Sequence, residues 1–254
     1  MIDREFLHRL RDTARVDLYA SGIDGARVYW PWRMNKAAAE ADDRHGGKCD
    51  HYVVDSNFKR DDVTNTDVLD EAAALDADAA VLADVYHNAE ATVDALLEGL
   101  EWAESHPFAG TLVLPLQPPH ADSAAELEAA VDGIDVWWGI GGLKDAPAAA
   151  KLDAARDLRR RLGPEAHIHG FGFGVTPELA RAVRDDPGLL DSIDNSTAVS
   201  SASIDHLTGC EEKMTVLAAQ ATAQRLEDLR MLTPFADPDE ATTQAGMEVF
   251  AADD

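Results

Sequence analysis

Short apolar runs alternate along the chain with longer alanine-rich stretches whose apolar residues recur at helical spacing, a pattern that predicts repeated strand–helix units. Strands are predicted over 16–20, 26–30, 51–54, 79–83, 111–116, 134–139, 166–171 and 189–193. Helices are predicted near 35–44, 64–75, 89–105, 122–132, 146–162 and 176–185, with a longer one near 209–232. Thr64, Asp145 and Thr176 read as N-cap residues, the last two just ahead of a proline at the start of the helix. Eight strands is the number that closes an α/β barrel, and a chain of 254 residues fits one barrel of about 250. The expected fold is therefore a single-domain (β/α)8 TIM-type barrel over 1–232. Residues 233–254 are polar, acidic and weakly periodic, and read as a loosely packed tail.

Charge changes how this pattern is read. The chain carries 48 Asp and Glu against 22 Lys and Arg, a formal net charge of -26. Such a surface repels itself and nucleic acid at low ionic strength, whereas at molar salt the Debye length falls to about 3 Å and most of the repulsion is screened. The expectation is a cytoplasmic protein of a salt-rich cell. So many acids also make paired carboxylates common by chance, so acid spacing alone carries little weight. No stretch approaches the roughly 20 apolar residues of a membrane span, and the MIDREFLHRLRD start lacks the apolar core of a secretory signal. Cys49 and Cys210 form neither a CxxC pair nor a metal-ligand spacing, and read as reduced thiols.

Candidate chemistry sits where the strands end. HYVVD closes on Asp55, AAVLAD on Asp84, LVLPLQ on Gln117 and LLDSID on Asp194. In a barrel the C-terminal strand ends converge on one open face. Three carboxylates there can serve as nucleophile, acid/base and hydrogen-bond acceptor for a polar heterocycle. GIGGL, with Gly141 and Gly142, and HIHGFGFG end two further strands in glycines that let a flat ligand approach the backbone. Asp78 and Asp191 read as structural acids, and the Arg156, Arg159, Arg160, Arg161 run as a solvated helix face. Trp137 and Trp138 point to opposite sides of a strand, one toward the helices and one into the barrel. His167 and His169 share a face, as the HxH metal pair of barrel hydrolases does, but no supporting ligand series follows, so no metal is expected.

In order and spacing, the motifs from Asp55 to Ser200 resemble those of the tRNA-guanine transglycosylase superfamily, which exchanges guanine in a nucleic acid for a 7-deazaguanine base on a (β/α)8 barrel. VVDSNF resembles the family's DSGGF, DADAAVLAD its sDxxxxFD strand, LPLQP its VQG segment, GIGGLK its IGGL loop, HIHGFG its LxGfG strand end, and GLLDSID its GvDxFD motif. The resemblance implies that Asp194 is the nucleophile, Asp55 the acid/base and Asp84 the reader of the guanine edge. It also implies that Gln117, Gly141 and Gly142 contact the base and that Phe58 stacks on it. The implied partners are nucleic acid and a free 7-deazaguanine, without a cofactor. DSNF is one residue shorter than DSGGF, and NSTAVSSAS replaces the PTR and zinc-binding CxCxxC of the tRNA enzymes. The zinc subdomain should therefore be missing, and the chain is closer in character to the small relatives that modify DNA, which favours DNA over tRNA. A non-catalytic partner subunit of the same fold and a metal-dependent barrel hydrolase built on His167 and His169 are the alternatives.

Overall fold

The computed structural model describes residues 4–21, 29–38, 49–57, 60, 62–195 and 223–234. Eight parallel strands close into a barrel in chain order: β1 Asp17–Ser21, β2 Trp32–Lys36, β3 His51–Asp55, β4 Ala79–Val81, β5 Thr111–Leu116, β6 Val136–Ile140, β7 His167–Gly170 and β8 Ser192–Asn195. The ring shuts where β8 pairs with β1, Tyr19 lying beside Asp194. Helix α1 (Arg4–Thr13) precedes the barrel. Helices α2 (Asn65–Ala74), α3 (Ala89–Ala103), α4 (His120–Leu127), α5 (Ala148–Leu162) and α6 (Pro177–Asp185) follow β3 to β7, and α7 covers 223–231. This is the single-domain TIM-type barrel that the alternation predicts. No helix among the described residues is long and apolar enough to cross a membrane.

Three local expectations are corrected. The second strand lies at Trp32–Lys36, not 26–30. Its inward residues Trp32, Met34 and Lys36 alternate with Arg33 and Asn35, which are polar yet buried on the outer face, so the segment lacks the apolar signature of a parallel strand. The helix expected over 35–44 begins inside that strand, and its remainder from 39 onward lies outside the described residues. Asp145 does not cap α5: Pro147 occupies the cap position in an extended conformation, with no side-chain cap bond, and the helix starts one residue later. By contrast Thr64 and Asp67 form a reciprocal capping box on α2, and the Thr176 side chain accepts from Leu179 N ahead of Pro177. Helix α1 has no counterpart in the expected elements. Most of the 233–254 segment lies outside the described residues.

The barrel packs two cores. Outward strand residues such as Val54, Leu114, Ile168 and Ile193 are fully buried, as are Leu69, Leu96, Leu127 and Leu158 of the surrounding helices. Full burial of each such side chain is worth roughly 1.5–3 kcal/mol. Inside the ring an aromatic floor replaces an aliphatic one. Trp137 stacks on His167 at 4.0 Å between centroids and on His51 at 5.6 Å, and the Tyr19 edge meets the Trp137, His51 and His169 rings. Trp138 points the other way and is buried with the outer core. Above this filled floor a cavity opens toward the C-terminal strand ends.

Candidate active site

At that end a cavity of about 220 Å³ is lined by Asp55 of β3, Asp194 of β8 and Asp84 just beyond β4, together with Gly141 and Gly142 just beyond β6. Residues scattered over 140 positions thus meet because Asp55 and Asp194 are inward-facing positions near the ends of β3 and β8, while Asp84, Gly141 and Gly142 lie in the turns just beyond β4 and β6. Ser21, Lys36, Tyr86, Lys144 and Phe171 complete much of the wall.

Asp194 is the most tightly held of the three acids. Its Oδ2 accepts from Ser21 Oγ at 2.8 Å, and its Oδ1 from the Gly172 N–H at 2.5 Å. The chain turns at Gly172 with φ of 61°, which glycine adopts without steric cost. Burial alone would raise the Asp194 carboxyl, but His169, the Gly172 N–H and Ser21 outweigh it and hold the group below the usual aspartate range. Asp194 is therefore ionised at neutral pH.

Asp55 stands in the opposite condition. Burial, and then the negative charge of Asp194, push it up to about 7, with Lys36 pulling the other way from the adjacent strand and Asp84 adding to the rise. A carboxyl poised near 7 can both give and take a proton at working pH. Asp84 is raised to about 6 by burial, against the hydrogen bonds it accepts from Gln117 and Ser56.

Gln117 is not among the residues lining the cavity. Only 1% exposed, it donates from Nε2 to Asp84 Oδ2 at 2.7 Å and accepts at Oε1 from the His87 N–H at 3.0 Å. It orients the aspartate from behind, and this role departs from the direct base contact that the resemblance implies. The paired glycines make room for it. A Cβ on Gly142, whose φ is +71°, would fall 2.5 Å from Gln117 Oε1, and one on Gly141 would fall 2.9 Å from Leu116 O and 3.0 Å from Gln117 Nε2. His120 Nε2 donates to Gly141 O at 2.9 Å and fixes the loop from outside.

The other candidates separate from the cavity. Phe58 lies outside the described residues. Asp78 accepts from Tyr52 N, and Asp191 accepts from Ile168 N and from Arg159, so both tie strands together at the end away from the mouth. Arg156, Arg160 and Arg161 pair with Asp153, Asp157 and Glu128 on the helix surface. His167 and His169 face the barrel interior and converge on Ser192. Among the described residues no group of three or more His, Cys, Asp or Glu side chains could hold a metal ion. Ser21, Lys36 and Tyr86 were not singled out in the sequence, and Lys144 and Phe171 lie within GIGGLK and HIHGFGFG without a role assigned to them. Lys144 follows GIGGL directly, and Ser21 ends a strand expected within one residue of its observed place, whereas Lys36 depended on placing β2.

No family model matches the chain, and no curated protein matches it. Among solved structures, the YdjI aldolase from Escherichia coli K12 is similar with a TM-score of 0.61 at 10% identity, over 91% of this chain and 96% of that one. A putative fructose-1,6-biphosphate aldolase from Coccidioides immitis has a TM-score of 0.59 at 12% identity, over the same shares. At these identities the likeness establishes the shared barrel fold.

Proposed function

We propose that the cavity is the active site of a base-exchange transglycosylase that replaces guanine with a 7-deazaguanine derivative in nucleic acid, DNA in preference to tRNA. The observation that carries this reading is that one cavity is lined by two acids in opposite settings: Asp194 accepts from Ser21 Oγ and the Gly172 N–H, which favour its ionised form, whereas burial and the charge of Asp194 push Asp55 up to about 7. Retaining glycosyl transfer needs that pair of states, one carboxylate to attack an anomeric carbon and one carboxylic acid to protonate what leaves. Asp194 attacks C1′ as the bond to guanine breaks, and Asp55 delivers its proton to the departing base. The incoming 7-deazaguanine gives a proton back to Asp55 as it displaces the aspartate ester, which restores both groups. Asp84, oriented by Gln117, accepts from the N1–H and exocyclic amine of the purine, a donor pair that adenine lacks. A base buried in a duplex cannot reach this cavity, so the substrate is a single strand or a flipped nucleotide. The mouth lysines Lys36 and Lys144 supply the positive charge that an otherwise acidic protein needs against flanking phosphates. Incorporation of labelled guanine into single-stranded oligonucleotides and tRNA tests the activity at molar salt. Incorporation that Asp194→Asn abolishes supports the reading, and full incorporation by Asp194→Asn removes it.

The same two lysines favour one other reading, a lyase that works through a Schiff base, as their amines share a cavity with a proton-shuttling acid. Borohydride trapping of a carbonyl substrate such as fructose 1,6-bisphosphate on Lys36 or Lys144 would establish it.

A further inference from the structure

Beneath the candidate nucleophile the barrel holds a line of polar side chains to which the reaction as proposed assigns no step. His169 is fully buried on β7. Its Nε2 has no hydrogen-bond partner among the described residues and stands 3.6 Å from Asp194 Oδ1, just beyond hydrogen-bonding range. Its Nδ1 lies 2.8 Å from Ser192 Oγ, and the same hydroxyl lies 2.8 Å from His167 Nε2. The rings of Tyr19 and Phe171 meet His169 edge-on and fix its plane. His167 in turn lies flat on Trp137.

We propose that His169 is the positioning residue of the nucleophile, presenting an Nε2–H to Asp194 that holds the carboxylate ionised and aimed into the cavity, with Ser192 and His167 setting its tautomer. The proposal rests on the assignment of Asp194 as nucleophile. Proton counting allows one arrangement with neutral rings. An ionised carboxylate can only accept, so the proton facing it sits on Nε2, which leaves Nδ1 bare. The bare nitrogen must accept from the Ser192 hydroxyl. The serine oxygen, having spent its one proton, accepts from His167 Nε2–H. Burial holds His167 well below the ordinary imidazole range, which keeps it neutral as this arrangement requires. Each link therefore has one donor and one acceptor. The gap of 3.6 Å closes to a hydrogen bond with a small shift of the carboxylate, and catalytic hydrogen bonds are commonly long before substrate binds. The other groups that act on Asp194 are Ser21 and the Gly172 N–H by direct bonds, with Asp55 and Lys151 through charge.

The test uses two readouts on the full chain. Carboxyl-labelled aspartate allows the titration of Asp194 to be followed by carbon-13 NMR, with Asp194→Asn assigning the resonance. His169→Phe keeps a buried ring without a donor, and His169→Gln restores an amide donor. The midpoint of Asp194 should rise by about one pH unit in His169→Phe and return toward the native value in His169→Gln. Guanine exchange should fall about 100-fold in kcat in His169→Phe with KM little changed, and recover in part with Gln. Ser192→Ala, which leaves His169 in place, should shift the midpoint in the same direction by less. An unchanged midpoint and rate in His169→Phe overturns the proposal. If the native protein exchanges no base at all, the transglycosylase reading fails, while the titration still decides whether His169 governs Asp194.

Discussion

The floor and the mouth of this barrel are both lined with inward-facing polar side chains, yet they do opposite things with them. On the floor most of the groups satisfy one another: Tyr19 pairs with His51 Nδ1 at 2.9 Å, Ser192 bridges His167 and His169, and stacked rings fill the space between, while the one exception among these groups, His169 Nε2, faces Asp194. At the mouth Asp55 and Asp84 are raised by burial, Asp55 further by its neighbours' charge, and both face open cavity. Buried polar groups that consume one another's hydrogen bonds stabilise a fold, whereas those held at a cost beside a cavity mark where a ligand completes the set.

Asp55→Asn breaks the comparison hardest. It removes the proton shuttle, and guanine exchange should drop about 10²–10⁴-fold. The same change should stabilise the fold at high pH. A carboxyl whose folded value is about 7 binds its proton more tightly folded than unfolded. Its cost to stability is absent below the ordinary value of 3.8, grows as pH rises from there, and is complete above about 7. Chemical denaturation at pH 8 should therefore find Asp55→Asn more stable than the native protein by up to about 4 kcal/mol, with the difference vanishing near pH 4.

The rate profile of the native protein sharpens the point. Exchange should fall on the acid side as Asp194 is protonated, and on the alkaline side above about 7 as Asp55 loses the proton it must deliver. A profile flat through pH 7 would detach Asp55 from that role.

Gly142→Ala probes the wall between the two regions. The added methyl meets Gln117 Oε1 at a positive φ, so Gln117 must shift and Asp84 loses its orienting donor. KM for the exchanged base should rise about tenfold, with a stability loss of about 1–3 kcal/mol. Tyr19→Phe, on the floor, should have the smallest effect: about 1 kcal/mol of stability from the lost His51 bond and an exchange rate within a factor of two.

How much of this was readable beforehand follows the same division. Asp55, Asp84 and Asp194 were legible because each punctuates an apolar run, and convergence of strand ends in a closed barrel does the rest. Gln117 was found for its position but not for its part, because only coordinates show that its amide is spent on Asp84 and His87. Strand β2 was missed because its outer residues Arg33 and Asn35 are buried polar groups, so Lys36 at its end was missed too. His169 was legible as one of a pair that shares a face, but a shared face says nothing of the serine between them.

The most direct test of the account is to mix the protein with a single-stranded guanine-containing oligonucleotide at molar salt, denature rapidly, and map any covalent adduct by mass spectrometry. The account predicts a sugar–protein ester on Asp194, absent in Asp194→Asn and discharged by added 7-deazaguanine. An adduct confined to Lys36 or Lys144, or none while base exchange proceeds, would contradict it.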